Sequence, residues 1–284
     1  MDGFIFLDKQ EGVTSSKEDV QIKKLFNTRK VGHVGTLDPF ATGLLIIGVN
    51  KGTKAIPFID DDSKEYVATL TLGVETDSMD KTGKIIKEEK APNLSLDKVN
   101  DVLHSFIGKS QQLTPMTSAV HVNGQKLYKL AHQGIEVDRP LRNIEVFEIE
   151  LLSFKGNEIV FRAVVSKGTY VRVLGSDIAK KLGTVGYLSS LRRTKVGPYS
   201  IDIASRIENV AESSLVSTFD VLKETSSVVK FDDKKIEDVK NGRIKSLEGE
   251  YPCDRLLVVN TSNEIVAMYV KNGNNKYQFV RGLF

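Results

Sequence analysis

The stretch Val31-Gly32-His33-Val34-Gly35-Thr36-Leu37-Asp38-Pro39-Phe40-Ala41-Thr42-Gly43 limits the folds open to this chain more than any other. Three glycines, a histidine and an aspartate directly before a proline are crowded together, and the apolar run Leu44-Leu45-Ile46-Ile47 follows. A tight turn must therefore feed a buried element. Pro39 disfavours the helical region for Asp38 and itself suits the first position of a helix. Asp38 is thus expected in an extended or capping geometry at a loop-to-element junction. Gly32 and Gly35 are free to take backbone angles that other residues avoid, which leaves room for something to approach. Two roles fit Asp38 there. A helix N-cap is the commoner one on spacing alone; a reactive carboxylate is the other.

The length of 284 residues allows one large domain, or a large one and a small one. A hydrophobic fraction of 40% and a charged fraction of 27% are ordinary for a soluble globular protein. No apolar run approaches the roughly 18 residues of a membrane-spanning helix. The opening Met1-Asp2-Gly3-Phe4 leads directly into a strand-like Phe4-Ile5-Phe6-Leu7, without the basic and apolar regions of a signal peptide. A cytoplasmic protein with no membrane partner is expected.

The lone Cys253 excludes an intramolecular disulfide and a multi-cysteine zinc site, and reads as a small buried hydrophobe. His33, His104, His121 and His132 are scattered rather than set at metal-ligand spacing, so no metal is expected. The net charge of +3 permits a polyanionic partner without demanding one, which shifts weight to where the charges lie. Basic residues gather as Lys23-Lys24 with Arg29-Lys30, and as Arg192-Arg193 with Lys195. Either group alone is more often a solvated face than a phosphate site.

Along the chain, Ser15 and Glu18 have capping-box spacing and open a helix that carries Val20, Ile22, Leu25 and Phe26 toward a core. Residues 60–65 read as a charged loop. Tyr66 to Gly73 alternates like a half-buried strand, with Tyr66, Ala68, Leu70 and Leu72 on one face. Glu75, Asp77 and Asp80 precede a Lys81-Thr82-Gly83 turn, but their spacing is not that of an EF-hand loop. Ser95 caps a helix that runs through Ile107 and stops at Gly108. Gln111 to Gly124 is polar and turn-rich, and Asn123-Gly124 signals a hairpin. Leu127 to His132 is a short helix ended by Gly134, and strands Ile144–Leu152 and Ile159–Val165 pair through Lys155-Gly156-Asn157. Tyr170 and Arg172 stand two apart in an extended segment and point the same way, ahead of a helix from Val173 to Leu182.

Strands and helices alternate without βαβ regularity or a dinucleotide fingerprint. The expected class is α+β with a mixed, mainly antiparallel sheet. Near Asn209 to Val228 the chain turns Ser-rich and weakly helical, and a small β unit follows. The expected division is a domain of residues 1–226 and one of residues 227–284.

The chemistry-bearing residues are Asp38, the neighbouring His33, Tyr66, Tyr170 and Arg172. Arg172 could pair bidentately with a carboxylate and keep it ionised, and an ionised carboxylate suits covalent catalysis better than proton donation. Aromatic rings in a basic setting stack on unpaired bases. No second carboxylate partners Asp38 in the manner of a glycosidase, and neither a nucleophile elbow nor a phosphate loop is present.

The motif Gly32-His33-Val34-Gly35-Thr36-Leu37-Asp38-Pro39 with Ala41-Thr42-Gly43 closely resembles the signature of the TruB family of tRNA pseudouridine synthases. The resemblance extends to Leu7-Asp8-Lys9, Lys64-Glu65-Tyr66, Leu72-Gly73 to Thr76-Asp77, Leu127-Tyr128, Arg139-Pro140, Ser166-Lys167-Gly168-Thr169-Tyr170-Val171-Arg172 and Leu191-Arg192-Arg193-Thr194. It implies a pseudouridine-synthase catalytic domain over 1–226 and a small PUA-like RNA-binding domain over 227–284. It implies Asp38 as the catalytic aspartate, Arg172 as its ion-pair partner, and Tyr170 under the sugar and base as a proton-transfer group. Tyr66 would stack on the flipped uracil, His33 would contact the RNA, Lys9 would support the pocket and Leu191 would form part of its apolar wall. The implied reaction isomerises the uridine at position 55, in the tRNA T-loop, without a cofactor. The implied partner is the T-arm stem-loop, with no obligate protein partner. Gln10, Thr117, His121 and His132 depart from the family's usual residues. Two rivals share the basic patches: an RNA-binding folding factor, and a guide-RNA-dependent relative that works in a multiprotein complex.

Overall fold

The computed structural model describes residues 2–59, 62–118, 120–122 and 124–284. Its main feature is a nine-stranded sheet. Its spatial order is Gly3–Lys9, Thr42–Val49, Gly186–Val196, Ser63–Leu72, Glu158–Ser166, Leu141–Lys155 and Gly108–Leu113. Val31–Val34 pairs with Thr42–Val49, and Tyr199–Ser200 with Gly186–Val196. All of these pairings are antiparallel except Thr42–Val49 with Gly186–Val196, so the class is α+β with a mainly antiparallel sheet.

The apolar run after Gly43 is continuous because both faces of its strand are covered. Leu45 and Ile47 enter one core with Ile5 and Leu7, while Leu44 and Ile46 enter a second with Phe4 and Phe6. That second core also takes Leu257, Val259 and Met268, which come from a five-stranded sheet near the C-terminus. This sheet runs Ser227–Lys230, Arg255–Val259, Ile265–Lys271, Lys276–Gly282 and Ser246–Glu248. Its other face buries Leu256, Val258, Tyr269 and Tyr277 against Ile236 and Val239 of the helix Asp233–Lys240. The period-2 strand is as expected: Tyr66, Ala68, Leu70 and Leu72 all face the first core.

Several expectations are corrected. The helix Ser15–Leu25 is capped by Thr14, whose Oγ1 accepts the Lys17 N–H at 3.2 Å. Its buried face is Ser15, Glu18 and Ile22, continued by Phe26, which leaves Val20 47% and Leu25 50% exposed. Ser15 and Glu18 are turned inward by other tasks, described below. Gly108 starts an edge strand, Gly108–Leu113, rather than merely stopping the helix, which is Leu96–His104. The edge-strand pairing with Leu141–Lys155 overrides its polar composition. Tyr170 is the N-cap residue of the helix Val171–Lys181, so Arg172 lies in a first helical turn and not in an extended segment. Cys253 is half-buried rather than buried. The turn residue Asn123 and the loop residues Asp60 and Asp61 lie outside the described residues. The strands His121–Val122 and Gln125–Lys126 pair on either side of that turn.

Candidate active site

The turn that carries Asp38 joins the strands Val31–Val34 and Thr42–Val49. Gly35 opens it at φ 63°, a left-handed angle that favours glycine. The Asp38 carbonyl accepts the Ala41 N–H at 3.1 Å, and a strand follows, not a helix, which removes the N-cap role. The turn is pinned from behind. Ser15 Oγ donates to the Leu37 carbonyl at 3.2 Å and accepts the Leu37 N–H at 3.0 Å, and the Gly12 N–H donates to the Pro39 carbonyl at 2.8 Å. At Gly43, φ 103°, a β-carbon would lie 2.2 Å from the Arg193 carbonyl oxygen, so only glycine lets the parallel strands meet there.

Arg172 holds the Asp38 carboxylate from behind. Its Nε donates to Oδ2 at 2.8 Å and its Nη2 to Oδ1 at 3.4 Å, a bidentate fork. Nη1 donates to the Ser78 carbonyl and to Thr117 Oγ1, both at 2.7 Å, and Nη2 donates to the Thr117 carbonyl at 3.2 Å. All five guanidinium donors are thereby used. The Arg172 side chain is 3% exposed and that of Asp38 is 35%, so the anion faces out while its counter-charge stays behind it. Asp80, also buried, places Oδ2 3.6 Å from Nη1 of Arg172, and its Oδ1 accepts from Ser78 Oγ and the Thr82 N–H, both at 2.9 Å.

Asp38 opens onto a cavity of about 470 Å³. His33, Tyr66, Tyr170, Arg172 and Leu191 also line it. Further cations stand around the same space: Lys64, Arg142, Lys167 and Arg193. His33 is held by Asp19, whose Oδ2 lies 2.8 Å from Nδ1, and by Thr36 Oγ1, 3.0 Å from Nε2. A carboxylate, two tyrosines and a ring of positive charge form a chamber suited to an anionic polymer with one extruded base.

Residues 23–171 match the model of the TruB family pseudouridylate synthase, N-terminal domain. The chain is 40% identical over 256 residues to the tRNA pseudouridine synthase B of Geotalea uraniireducens (strain Rf4), covering 87% of this chain and 82% of that protein. This chain belongs to the TruB family of pseudouridylate synthases. It is 45% identical over 215 residues to tRNA pseudouridine synthase B of Francisella tularensis subsp. tularensis (strain WY96-3418), covering 75% of this chain and 71% of that one. A solved Cbf5-Nop10-Gar1 complex shares the fold at TM-score 0.74 and 24% identity, with 99% of this chain and 85% of that chain covered. An H/ACA RNP bound to a substrate RNA containing 2′-deoxyuridine does so at TM-score 0.72 and 23% identity, covering 99% and 85%. As a TruB-family enzyme the protein is an isomerase.

Of the seven TruB-type site residues named from sequence, six line the cavity and Lys9 does not. Lys9 is fully buried behind the Asp38 turn, where Nζ donates to the carbonyls of Val13 at 2.7 Å, Gln10 at 2.9 Å and Pro39 at 3.3 Å. Burial lowers its ammonium to about 8, and Arg193 adds to that effect, while Glu18 and Asp38 oppose it. Burial also raises the Glu18 carboxyl, against the pull of Lys9. These two residues, with Ser15, explain why the inner face of the first helix is polar.

Other residues around this cavity escaped the sequence reading. Gln112 clamps the backbone of Tyr170: its Oε1 accepts the Tyr170 N–H at 2.8 Å and its Nε2 donates to the Tyr170 carbonyl at 3.1 Å. Only its edge strand brings it there. Asp80 was weighed for calcium and set aside, yet it backs Arg172. Lys64 and Arg193 did carry a signal. Each stands two residues from a cavity residue in a strand, Tyr66 and Leu191, and therefore shares its face. Arg192, one residue out of phase, points elsewhere and makes a bidentate pair with Asp8 at 3.0 and 2.9 Å. Lys195 lies 3.6 Å from Glu65. The basic run from 192 to 195 is thus divided by strand parity between Arg192 and Arg193, and by a bulge between Arg193 and Lys195 that breaks the alternation.

Proposed function

We propose that this chain converts the T-loop uridine of tRNA, at position 55, to pseudouridine, with Asp38 as the acting carboxylate and without a cofactor. One observation carries the reading: a partly exposed carboxylate, fixed on its inner side by a saturated arginine, faces a cation-lined cavity with two tyrosines. The relatives named tRNA pseudouridine synthase B supply the substrate class.

The reaction is neutral in atoms and electrons. The C1′–N1 bond breaks, the base turns, C1′ bonds to C5, and the proton lost from C5 is matched by one gained at N1. Neither oxidation nor hydrolysis occurs, so the bond changes require no redox group. The target base must leave its stack, at a cost of a few kcal/mol that stacking and hydrogen bonds offset. Tyr66 provides that stacking and Leu191 the apolar wall. His33 contacts the RNA near the target. Tyr170 lies under the sugar and base and moves the C5 proton. A covalent adduct through an Asp38 oxygen and an elimination through a glycal both begin from the anion that Arg172 holds. Lys9 supports the turn from behind, and residues 1–226 form the catalytic domain. Residues 227–284 act as a PUA-like RNA-binding unit, and the enzyme works in the cytoplasm on the T-arm without an obligate protein partner.

The test uses purified protein alone and an unmodified T-arm stem-loop labelled with tritium at C5. Tritium release is expected from the wild type and none from Asp38→Asn, whose RNA affinity stays within several-fold of wild type. Substantial turnover by Asp38→Asn would remove that carboxylate from the chemistry, and no release by the wild type would leave an RNA binder.

A further inference from the structure

Arg193 and Arg172 line one cavity, but their charges are treated differently. Arg172 spends all five donors on protein acceptors, among them a carboxylate. Arg193 is fully buried, and among the described residues its single hydrogen bond runs from Nε to the Leu44 carbonyl at 2.7 Å. Among the described residues its Nη2 is buried with no acceptor. A guanidinium stays charged at any working pH, and a buried charge is costly unless an opposite charge meets it. Such an unsatisfied group inside a binding cavity marks a place for a ligand.

Gly35 controls access to it. A β-carbon there would lie 3.1 Å from Lys64 Cε and 3.3 Å from Arg193 Nη1. The glycine therefore serves twice: its φ of 63° makes the turn, and its missing side chain brings two cations to the cavity beside the Asp38 loop. Leu191, on the same strand face, sets Arg193 next to the apolar wall.

We propose that Arg193, flanked by Lys64 across Gly35, anchors a phosphodiester adjacent to the target nucleotide. The proposal rests on the T-arm reading above. The uracil carbonyls accept hydrogen bonds but carry no net charge. A phosphodiester supplies both the opposite charge and two oxygens that match the fork of a guanidinium. RNA has one on each side of the nucleotide on which Asp38 acts. In the free enzyme the uncompensated charge waits for this ligand, and RNA entry completes the site electrostatically.

The test uses T-arm stem-loops in which one linkage is replaced by a neutral methylphosphonate, placed 5′ of the target uridine, 3′ of it, or in the distant stem as a control. Affinity is read by filter binding and product by single-turnover assay. One of the flanking replacements is expected to weaken binding to wild type by about tenfold, well beyond the control. Arg193→Gln should lose a similar factor on unmodified RNA, lose nothing more on that same neutral linkage, and show a salt slope smaller by about one. Equal effects of flanking and control linkages on wild type would overturn the anchor, as would an Arg193→Gln protein that keeps full sensitivity to the neutral linkage. The wild-type arm decides by itself if Arg193→Gln does not fold. Product from unmodified RNA together with indifference to the flanking linkages overturns the anchor alone; no product from unmodified RNA overturns the T-loop reading beneath it.

Discussion

Nε of Arg172 lies 2.8 Å from Oδ2 of Asp38, although 134 residues separate them along the chain. One partner sits on a turn between two strands and the other in the first turn of a helix. The pair closes the inner side of the cavity and leaves the outer side of the carboxylate open.

Arg172→Lys keeps the charge and loses the fork. A lysine has three donors on one nitrogen and cannot span both Asp38 oxygens, the Ser78 carbonyl and Thr117. Single-turnover tritium release should fall by at least about a hundredfold, on the order of 3 kcal/mol, with RNA affinity changed far less. Filter binding measured beside the turnover assay checks the split.

Asp80→Asn is nearly isosteric and retains an oxygen for Ser78 and Thr82. It removes the second negative charge facing Arg172. The guanidinium is then bound more loosely from behind, and the Asp38 orientation suffers. A turnover loss of about tenfold or more is expected, with nearly unchanged RNA binding. Circular dichroism will distinguish this from misfolding.

Gln112→Leu leaves the backbone N–H of Tyr170 without its partner and removes one of the two donors to its carbonyl, which still accepts the Leu174 N–H. A buried, unpaired polar group costs about 1–3 kcal/mol, so the midpoint of urea unfolding should drop. Turnover should fall as well, because Tyr170 and the start of the Arg172 helix lose a fixed position. Gln112→Glu restores one of the two bonds and should recover part of the stability.

Lys9 makes stability depend on alkaline pH. Its ammonium is lowered from 10.5 to about 8 by burial, so between these values the unfolded chain holds a proton that the folded chain has lost. The unfolded state then binds more protons, and unfolding free energy rises with pH across that window. The full span is on the order of 3 kcal/mol. Below about pH 8 the burial penalty is fully present. Urea unfolding at about pH 7.5 and about pH 10 should show the rise in wild type and its absence in Lys9→Met. Glu18, Asp38, Arg193 and Glu11 face the same nitrogen and are common to both proteins.

Features governed by near neighbours in the chain could be read directly. The glycine-rich turn, the alternation from Tyr66 to Leu72, the Ser95 cap and the hairpin through Gly156 each depend on contacts within a few residues, and local backbone preference suffices for them. The dispersed motifs also identified the TruB family, and six of the seven residues so named meet in one cavity. What required the tertiary structure is every property set by a partner far away in sequence. Gly108–Leu113 is a strand because Leu141–Lys155 lies beside it, and only then does Gln112 reach Tyr170. Ser15 and Glu18 have capping-box spacing, but the buried Lys9 and the Leu37 backbone claim them instead. Arg172 and Arg193 are both arginines two residues from an expected site residue, and nothing local tells them apart. Among the described residues one meets a carboxylate and the other none, because the fold alone determines which charges are buried together.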